Sequence, residues 1–238
     1  MKILLLGYGK MGKNIEAIAL DRGHEVVGKI NEENIDDLNN FNGDNVDVAI
    51  EFSRPEAAFE NCLYCADNNI PVVSGTTGWL DRKEEIETKV QNNNGAFFYA
   101  SNYSVGVNIF FKVNSFLARL MNKHPEYNVK LDEIHHTEKL DAPSGTAITL
   151  AEGVLDEVDR KESWVNSDTE KVEELEIESF REPGVPGTHS VYYSSSIDEI
   201  EIKHTAHSRQ GFALGAVLVA EWILDKKGVL SMDNFMDF

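Results

Sequence analysis

Twelve consecutive residues carry the densest chemistry in the chain: His135-His136-Thr137-Glu138-Lys139-Leu140-Asp141-Ala142-Pro143-Ser144-Gly145-Thr146. Imidazoles exchange protons near neutral pH and an ammonium group attracts carboxylates, so the segment suits proton transfer or anion binding. The two histidines end a strand-like stretch, where successive side chains point to opposite faces. Regular strand geometry therefore keeps both from ligating one metal, and no metal site is read here. Lys139 follows in a loop. Ser144 can cap the next helix while the first-turn N–H groups at Gly145 and Thr146 receive a carboxylate. The plainer alternative for His135 and His136 is a pair of satisfied surface residues.

A second pattern, Gly7-Tyr8-Gly9-Lys10-Met11-Gly12, directly follows the first apolar run and opens the first helix. Gly7 permits a tight turn, Gly9 lets the backbone approach a pyrophosphate, and Gly12 allows close helix packing. A structural glycine turn is the competing reading, but the strand-to-helix context is the one that dinucleotide binding requires. The same fingerprint places an acid about 20 residues on to bind the adenosine ribose. Here Asn31 stands first, then Glu32 and Glu33, with Lys29 nearby. Asn31 lacks the charge that repels a 2′-phosphate, which leaves the choice between NADH and NADPH open, and Glu33 reads equally well as a solvated turn residue. Gly75-Thr76-Thr77-Gly78 and Ala100-Ser101-Asn102-Tyr103 each follow a later strand. Loops at the carboxyl ends of parallel strands line the ligand crevice, so these suit a nicotinamide ribose and carboxamide, although Gly and Thr also simply make turns.

The elements that must position these groups are legible as periodicity. Apolar runs at 3–6, 26–30, 46–52, 70–74 and 96–100 read as strands, and helical patterns at 12–21 and 55–68 and after Asp81 lie between them. Ser53 is the expected cap of the second helix. Continuous apolar strands separated by helices predict a Rossmann-type parallel sheet covered on both faces. After residue 104 the pattern changes. A helix is expected at 107–121, then half-exposed alternating strands near 127–136, 172–181, 190–194 and 199–207, with a helix at 146–158 among them. The apolar stretch 212–224 reads as a buried helix that returns to the first domain. The expected plan is an α/β dinucleotide-binding domain at 1–103 and 213–238. An α+β domain for substrate binding and oligomerisation, built on a mostly antiparallel sheet, is inserted at 104–212.

With 41 acidic against 22 basic residues the formal charge is −19, which repels nucleic acid and anionic membranes and demands a local basic pocket for any anionic ligand. Neither nucleic acid nor membrane is expected as a partner. Cys62 and Cys65 lie in an apolar helical run; they read as buried small residues rather than as a redox pair, and the chain is expected in a reducing cytoplasm.

Taken together, these motifs resemble the 4-hydroxy-tetrahydrodipicolinate reductase family. The resemblance rests on the glycine turn, Glu51-Phe52-Ser53, Gly75-Thr76-Thr77-Gly78, Ala100 to Asn108, and above all the block from His135 to Thr146. It runs in order from Gly7 to Arg209. It implies hydride transfer from NADH or NADPH to C4 of a small cyclic dicarboxylate with loss of water, in the diaminopimelate route to lysine. It also implies His135 as proton donor or acceptor and Lys139 as proton donor, with His136, Ser144, Gly145 and Thr146 holding substrate carboxylates. For the cofactor it implies Gly7 to Gly12, Gly75 to Thr77 and Ala100 to Tyr103, beside the Asn31 that the glycine fingerprint places at the ribose, and for the assembly a homotetramer. The sequence departs from the family at Asn31, where many relatives carry an acid, and at Thr137-Glu138, where others carry bases; Glu138 is expected to face solvent. The competing functions are another two-domain dehydrogenase, for example one acting on an amino-acid semialdehyde, and a non-catalytic dinucleotide sensor.

Overall fold

The computed structural model describes residues 1–208 and 210–238; Arg209, where the resemblance ends, lies outside the described residues. The chain forms two compact units, one from Met1–Ser104 with Gln210–Phe238 and one from Val105–Arg209.

The first unit begins β1 (Lys2–Leu6), α1 (Lys10–Asp21), β2 (Glu25–Ile30), a 3₁₀ stretch (Glu32–Asn40), β3 (Val48–Glu51) and α2 (Pro55–Asp67). It continues with β4 (Val72–Ser74), α3 (Lys83–Asn92) and β5 (Ala96–Tyr99). The second unit contains α4 (Val105–Met121), β6 (Asn128–His135), α5 (Gly145–Leu155), β7 (Ser163–Val165), β8 (Glu174–Arg181), β9 (Gly187–Ser194) and β10 (Glu199–Ala206). The chain then returns through α6 (Gln210–Trp222), β11 (Gly228–Leu230) and α7 (Met232–Met236).

Six parallel strands in the order β11-β5-β4-β3-β1-β2 make the first sheet. Both faces are covered, which is why its central strands are apolar without alternation. Ile3, Leu5, Ile50 and Phe98 pack on one side with Ala213, Ala216 and Val217 of α6. Leu4, Ala49, Val72 and Phe97 pack on the other with Phe59, Cys62 and Cys65 of α2 and Ile86 of α3. The two cysteines are buried and free, and burial pushes both thiols up, away from reactivity. From β1 the chain turns to β2 on one side and later to β3 on the other, so a topological switch point falls at their carboxyl ends.

Five strands in the order β10-β9-β6-β8-β7 make the second sheet. The β10–β9 and β9–β6 ladders are antiparallel, whereas β6–β8 and β8–β7 are parallel. The expected antiparallel character thus holds for half of the pairings. The parallel half arises because α5 forms the crossover from β6 to β7, and β8 then enters between those two strands, parallel to both. Helical side chains such as Phe110 of α4 and Leu150 and Val154 of α5 pack with Val129, Leu131, Ile177 and Val191 of the sheet. Three-residue β7 and β11 and five-residue α7 are too short for periodicity to reveal.

One local expectation fails: α2 is preceded by Arg54, with Pro55 at its first position and no side-chain cap. Ser53 does not cap, because its hydroxyl donates to the Glu51 carboxylate at 2.5 Å instead.

Candidate functional site

In the first unit the glycine turn has steric necessity. Gly7 sits at φ +97°, and a Cβ there would lie 2.1 Å from the Phe52 carbonyl oxygen; one on Gly12 would lie 2.3 Å from the carbonyl oxygen of Gly7. Gly9 has open space around its Cβ position and leads into α1 with no side-chain cap. The free N–H groups of that first turn, an unobstructed glycine and a cavity of about 500 Å³ at the switch point fit a dinucleotide pyrophosphate. The cavity is lined by Gly7, Tyr8, Gly9 and Asn31 on one side and by Ser53 and Arg54 on the other.

Asn31 has a second task. Its side chain accepts from the Glu33 N–H at 2.8 Å and so caps the 3₁₀ stretch. Lys29 is drawn away to Glu16, whose carboxyl is held below its usual range chiefly by that lysine, and it lies over the Tyr8 ring. Arg54, not singled out in the sequence, pairs with Glu32 beside the cavity; both side chains are exposed. Lys10 is exposed and Met11 packs partly against the core.

The later loops converge on Glu51, a fully buried carboxylate also missed as a site residue. It accepts from the Ser53 N–H at 3.0 Å, Ser74 Oγ at 2.7 Å and Thr76 Oγ1 at 2.8 Å, tying together the ends of β3 and β4. An acid inside the apolar run 46–52 was the available signal. Thr76 is thereby buried, whereas Thr77 is exposed, and a Cβ on Gly75 would strike the Phe52 ring. Tyr103 is 2% exposed and donates to the Ser74 carbonyl at 2.6 Å, so its side chain belongs to the core. Ala100 is buried, Ser101 exposed, and Asn102 accepts from the Ser104 N–H at 2.9 Å.

In the second unit, β6 places alternate residues on the helix-covered face. Glu133 lies there with cross-strand neighbours His189 on β9 and Ser179 on β8, and His135 follows two residues on beside Arg181. Glu133 is fully buried. It accepts from the Ser144 N–H through both oxygens (3.1 and 3.0 Å) and from Ser179 Oγ at 2.8 Å, with His135 Nδ1 at 3.4 Å and Arg181 Nη1 at 3.6 Å. Burial would raise its carboxyl, yet the bonds from Ser144 and Ser179 and the nearby His135 outweigh that and leave it lowered. Burial lowers the His135 imidazole; Glu133 opposes the shift, while Lys139 and Arg181 add to it. His189 is driven down to about 3 by burial and by His135, so it stays neutral.

Ser144 caps α5 as expected, accepting from the Ala147 N–H at 3.2 Å, and Gly145 is exposed with open space at its Cβ position. His136 and Thr146 are half-buried, and Glu138 faces solvent. The Lys139 ammonium donates to both oxygens of Asp141 at 2.8 Å, which holds that carboxyl below its usual range. Arg181 donates to the Lys139 and Asp141 carbonyls, at 3.3 and 2.7 Å, and so shapes the loop.

His135 ends β6 and is buried, whereas His136 follows the strand and is half-buried. His135 joins Glu133 and His189 in a trio whose candidate ligand atoms lie within 4.8 Å of one another. A cation there would meet the Arg181 guanidinium and compete with the Ser144 and Ser179 donors for the same carboxylate. The trio therefore reads as an electrostatic cluster.

A parallel sheet with a glycine-turn cavity, joined in one chain to a sheet that ends in a histidine, lysine and helix-start cluster, is the plan of a nicotinamide-dependent oxidoreductase. Comparison with known proteins narrows the class. The N-terminal dihydrodipicolinate reductase model matches residues 1–103 and the C-terminal model matches residues 106–236, and the chain belongs to that family. It is 49% identical over 237 residues to the 4-hydroxy-tetrahydrodipicolinate reductase of Christiangramia forsetii, covering 99% of this chain and 98% of the relative. It is 34% identical to that of Archaeoglobus fulgidus, covering 94% and 88%. In fold it matches a dipicolinate-bound dihydrodipicolinate reductase from Paenisporosarcina sp. TG-14 with a TM-score of 0.79, at 22% identity and 99% coverage of both chains. An amine dehydrogenase from Mycobacterium smegmatis matches with a TM-score of 0.64 at 10% identity, covering 98% and 95%.

Proposed function

We propose that the protein reduces 4-hydroxy-tetrahydrodipicolinate to tetrahydrodipicolinate, with loss of the 4-hydroxyl as water, in the diaminopimelate route to lysine. The bound reduced nicotinamide supplies the hydride that arrives at C4. The observation that carries the reading is the arrangement at the end of β6. His135, Lys139 and the open start of α5 offer proton-handling groups beside backbone N–H donors for a carboxylate. The Gly145 and Thr146 N–H groups and His136 would hold the substrate carboxylates. Lys139, drawn from Asp141 toward the anionic substrate, would deliver the proton that neutralises the enamine-like product, and His135 would take or return a proton at the same centre. Generating the unstable substrate in place and following absorbance of the reduced cofactor tests this directly; no substrate-dependent oxidation would reject it.

Gly7 to Gly12, Asn31, Gly75 to Thr77 and the 100–103 loop form the cofactor side of the proposal, with the side chain of Tyr103 acting through the core. Arg54 and Glu32 at the rim favour acceptance of both cofactors, since a 2′-phosphate can recruit the arginine and a free ribose the glutamate. Catalytic efficiencies with NADH and NADPH are therefore expected to differ by less than about a hundredfold, or ~3 kcal/mol. A far larger ratio would reject dual use.

The sheet face opposite α4 and α5 presents Lys130, Asp132, Tyr192 and the 40% exposed Phe180, and a symmetric partner is an economical cover for it. A homotetramer is expected. Light scattering should report about four times the 26.7 kDa chain mass, and a single-chain mass would dispose of the assembly. Among the described residues no helix is long and apolar enough to cross a membrane. The free, buried cysteines support a reducing, cytoplasmic setting.

A further inference from the structure

Glu133 is a charge removed from water at the centre of the second sheet, and nothing in the reaction itself requires it. Burying an unpaired carboxylate is expensive, so a fully buried one is retained where its partners repay it. Those partners are informative. They come from three directions: the start of α5 through the Ser144 N–H, strand β8 through Ser179 and Arg181, and β6 itself through His135. His189 closes the fourth side, its Nε2 3.1 Å from Ser144 Oγ and 3.8 Å from Glu133, its ring tilted 72° against that of His135 at 5.0 Å. One side chain therefore touches both the imidazole and the helix start to which the proposed function assigns different tasks.

We propose that Glu133 is a positioning residue that fixes His135 and the first turn of α5 in one geometry and sustains the protonated form of His135 during turnover. Its charge lies on the Nδ1 side of the ring, which favours the proton there and leaves Nε2, beside Gly187, as the exchanging atom. Neutral His189 packs against the pair without competing for the proton. The charged groups facing His135 are Glu133 on β6, Arg181 on β8, and Lys139 and Asp141 in the loop before α5; of these, Glu133 and Asp141 favour the cation and the other two oppose it.

The proposal rests on the reductase reading for its kinetic part but not for its physical part, and the test separates them. In Glu133→Gln the shape persists while the charge is lost. The His135 ring resonance, followed by NMR without substrate, should then titrate about one pH unit or more lower than in the native protein. Turnover should fall about 10²-fold, the lower end of what a general acid or base contributes, with a smaller rise in KM. The limb of the pH profile that reports His135 should move to lower pH, which a purely structural loss would not do. An unmoved His135 titration overturns the positioning role whatever the substrate proves to be. A moved titration with unmoved turnover overturns the kinetic part alone. Should the variant not fold, the native protein labelled at glutamate carboxyl carbons decides the matter: the Glu133 resonance should show an inflection at the titration point of His135, and its absence overturns the proposal.

Discussion

Lys139→Ala is expected to lower turnover by about 10²–10⁴-fold, the range that general acid catalysis supplies, while the isolated cofactor binds as before. The ammonium is held at rest by both oxygens of Asp141, and Arg181 braces the backbone on either side of Leu140, so the loop keeps its shape when the side chain is shortened. Steady-state kinetics at saturating substrate and calorimetric cofactor titration check the two halves separately. His135→Gln should likewise act chiefly on turnover, whereas His136→Gln should mainly raise the substrate KM, because that residue is assigned to binding. Near-normal turnover in the Lys139 variant would transfer the proton-donor role to water or to His135.

Gly7→Ala should be severely damaging for a single added methyl. The added carbon meets the Phe52 carbonyl oxygen at 2.1 Å, and the residue must keep a φ of +97° that L-residues avoid. Backbone cannot step aside as a flexible side chain can, so the cost is at the upper end of overpacking, about 3 kcal/mol or more. The end of β3 would have to move, and with it Ser53 and the Glu51 hub. Thermal unfolding should show a lowered Tm, and titration should show cofactor affinity reduced by tenfold or more. By contrast Gly9→Ala, with open space at its Cβ position, should leave Tm near native while still weakening the cofactor. Equal melting losses in the two variants would contradict this division of labour.

Much of this was legible in the chain because the signals are local. The glycine turn sits where strand gives way to helix, and the histidines, lysine and helix start are neighbours in sequence. Unbroken apolar strands announced a two-sided sheet. What stayed hidden depends on register. Glu133 meets His189 and Ser179 only once β6 has been paired with β9 and β8, a pairing across roughly fifty residues that no window of periodicity contains. The same holds for Arg181, which reads as an ordinary strand end until it is set beside His135. Ser53 misled because capping propensity assumes a free hydroxyl, and the buried Glu51 had claimed it. The parallel half of the second sheet escaped for a similar reason, since alternation reveals a half-exposed strand but not the direction of its neighbour.

The insertion of one unit within the other also sets a schedule for synthesis. Strands β1 to β5 leave the ribosome first, yet α6, whose Ala213, Ala216 and Val217 cover Ile3, Leu5, Ile50 and Phe98, and β11, which pairs with β5, are encoded after the whole second unit. At 5–20 residues per second, the intervening hundred or so residues take roughly 5–20 s to translate. Throughout that interval the nascent sheet carries an apolar face that α1 covers only in part and an open strand edge, both of which invite association. The growing chain, rather than the finished protein, is therefore the form that most needs a chaperone, and slow codons within the second unit would lengthen its exposure.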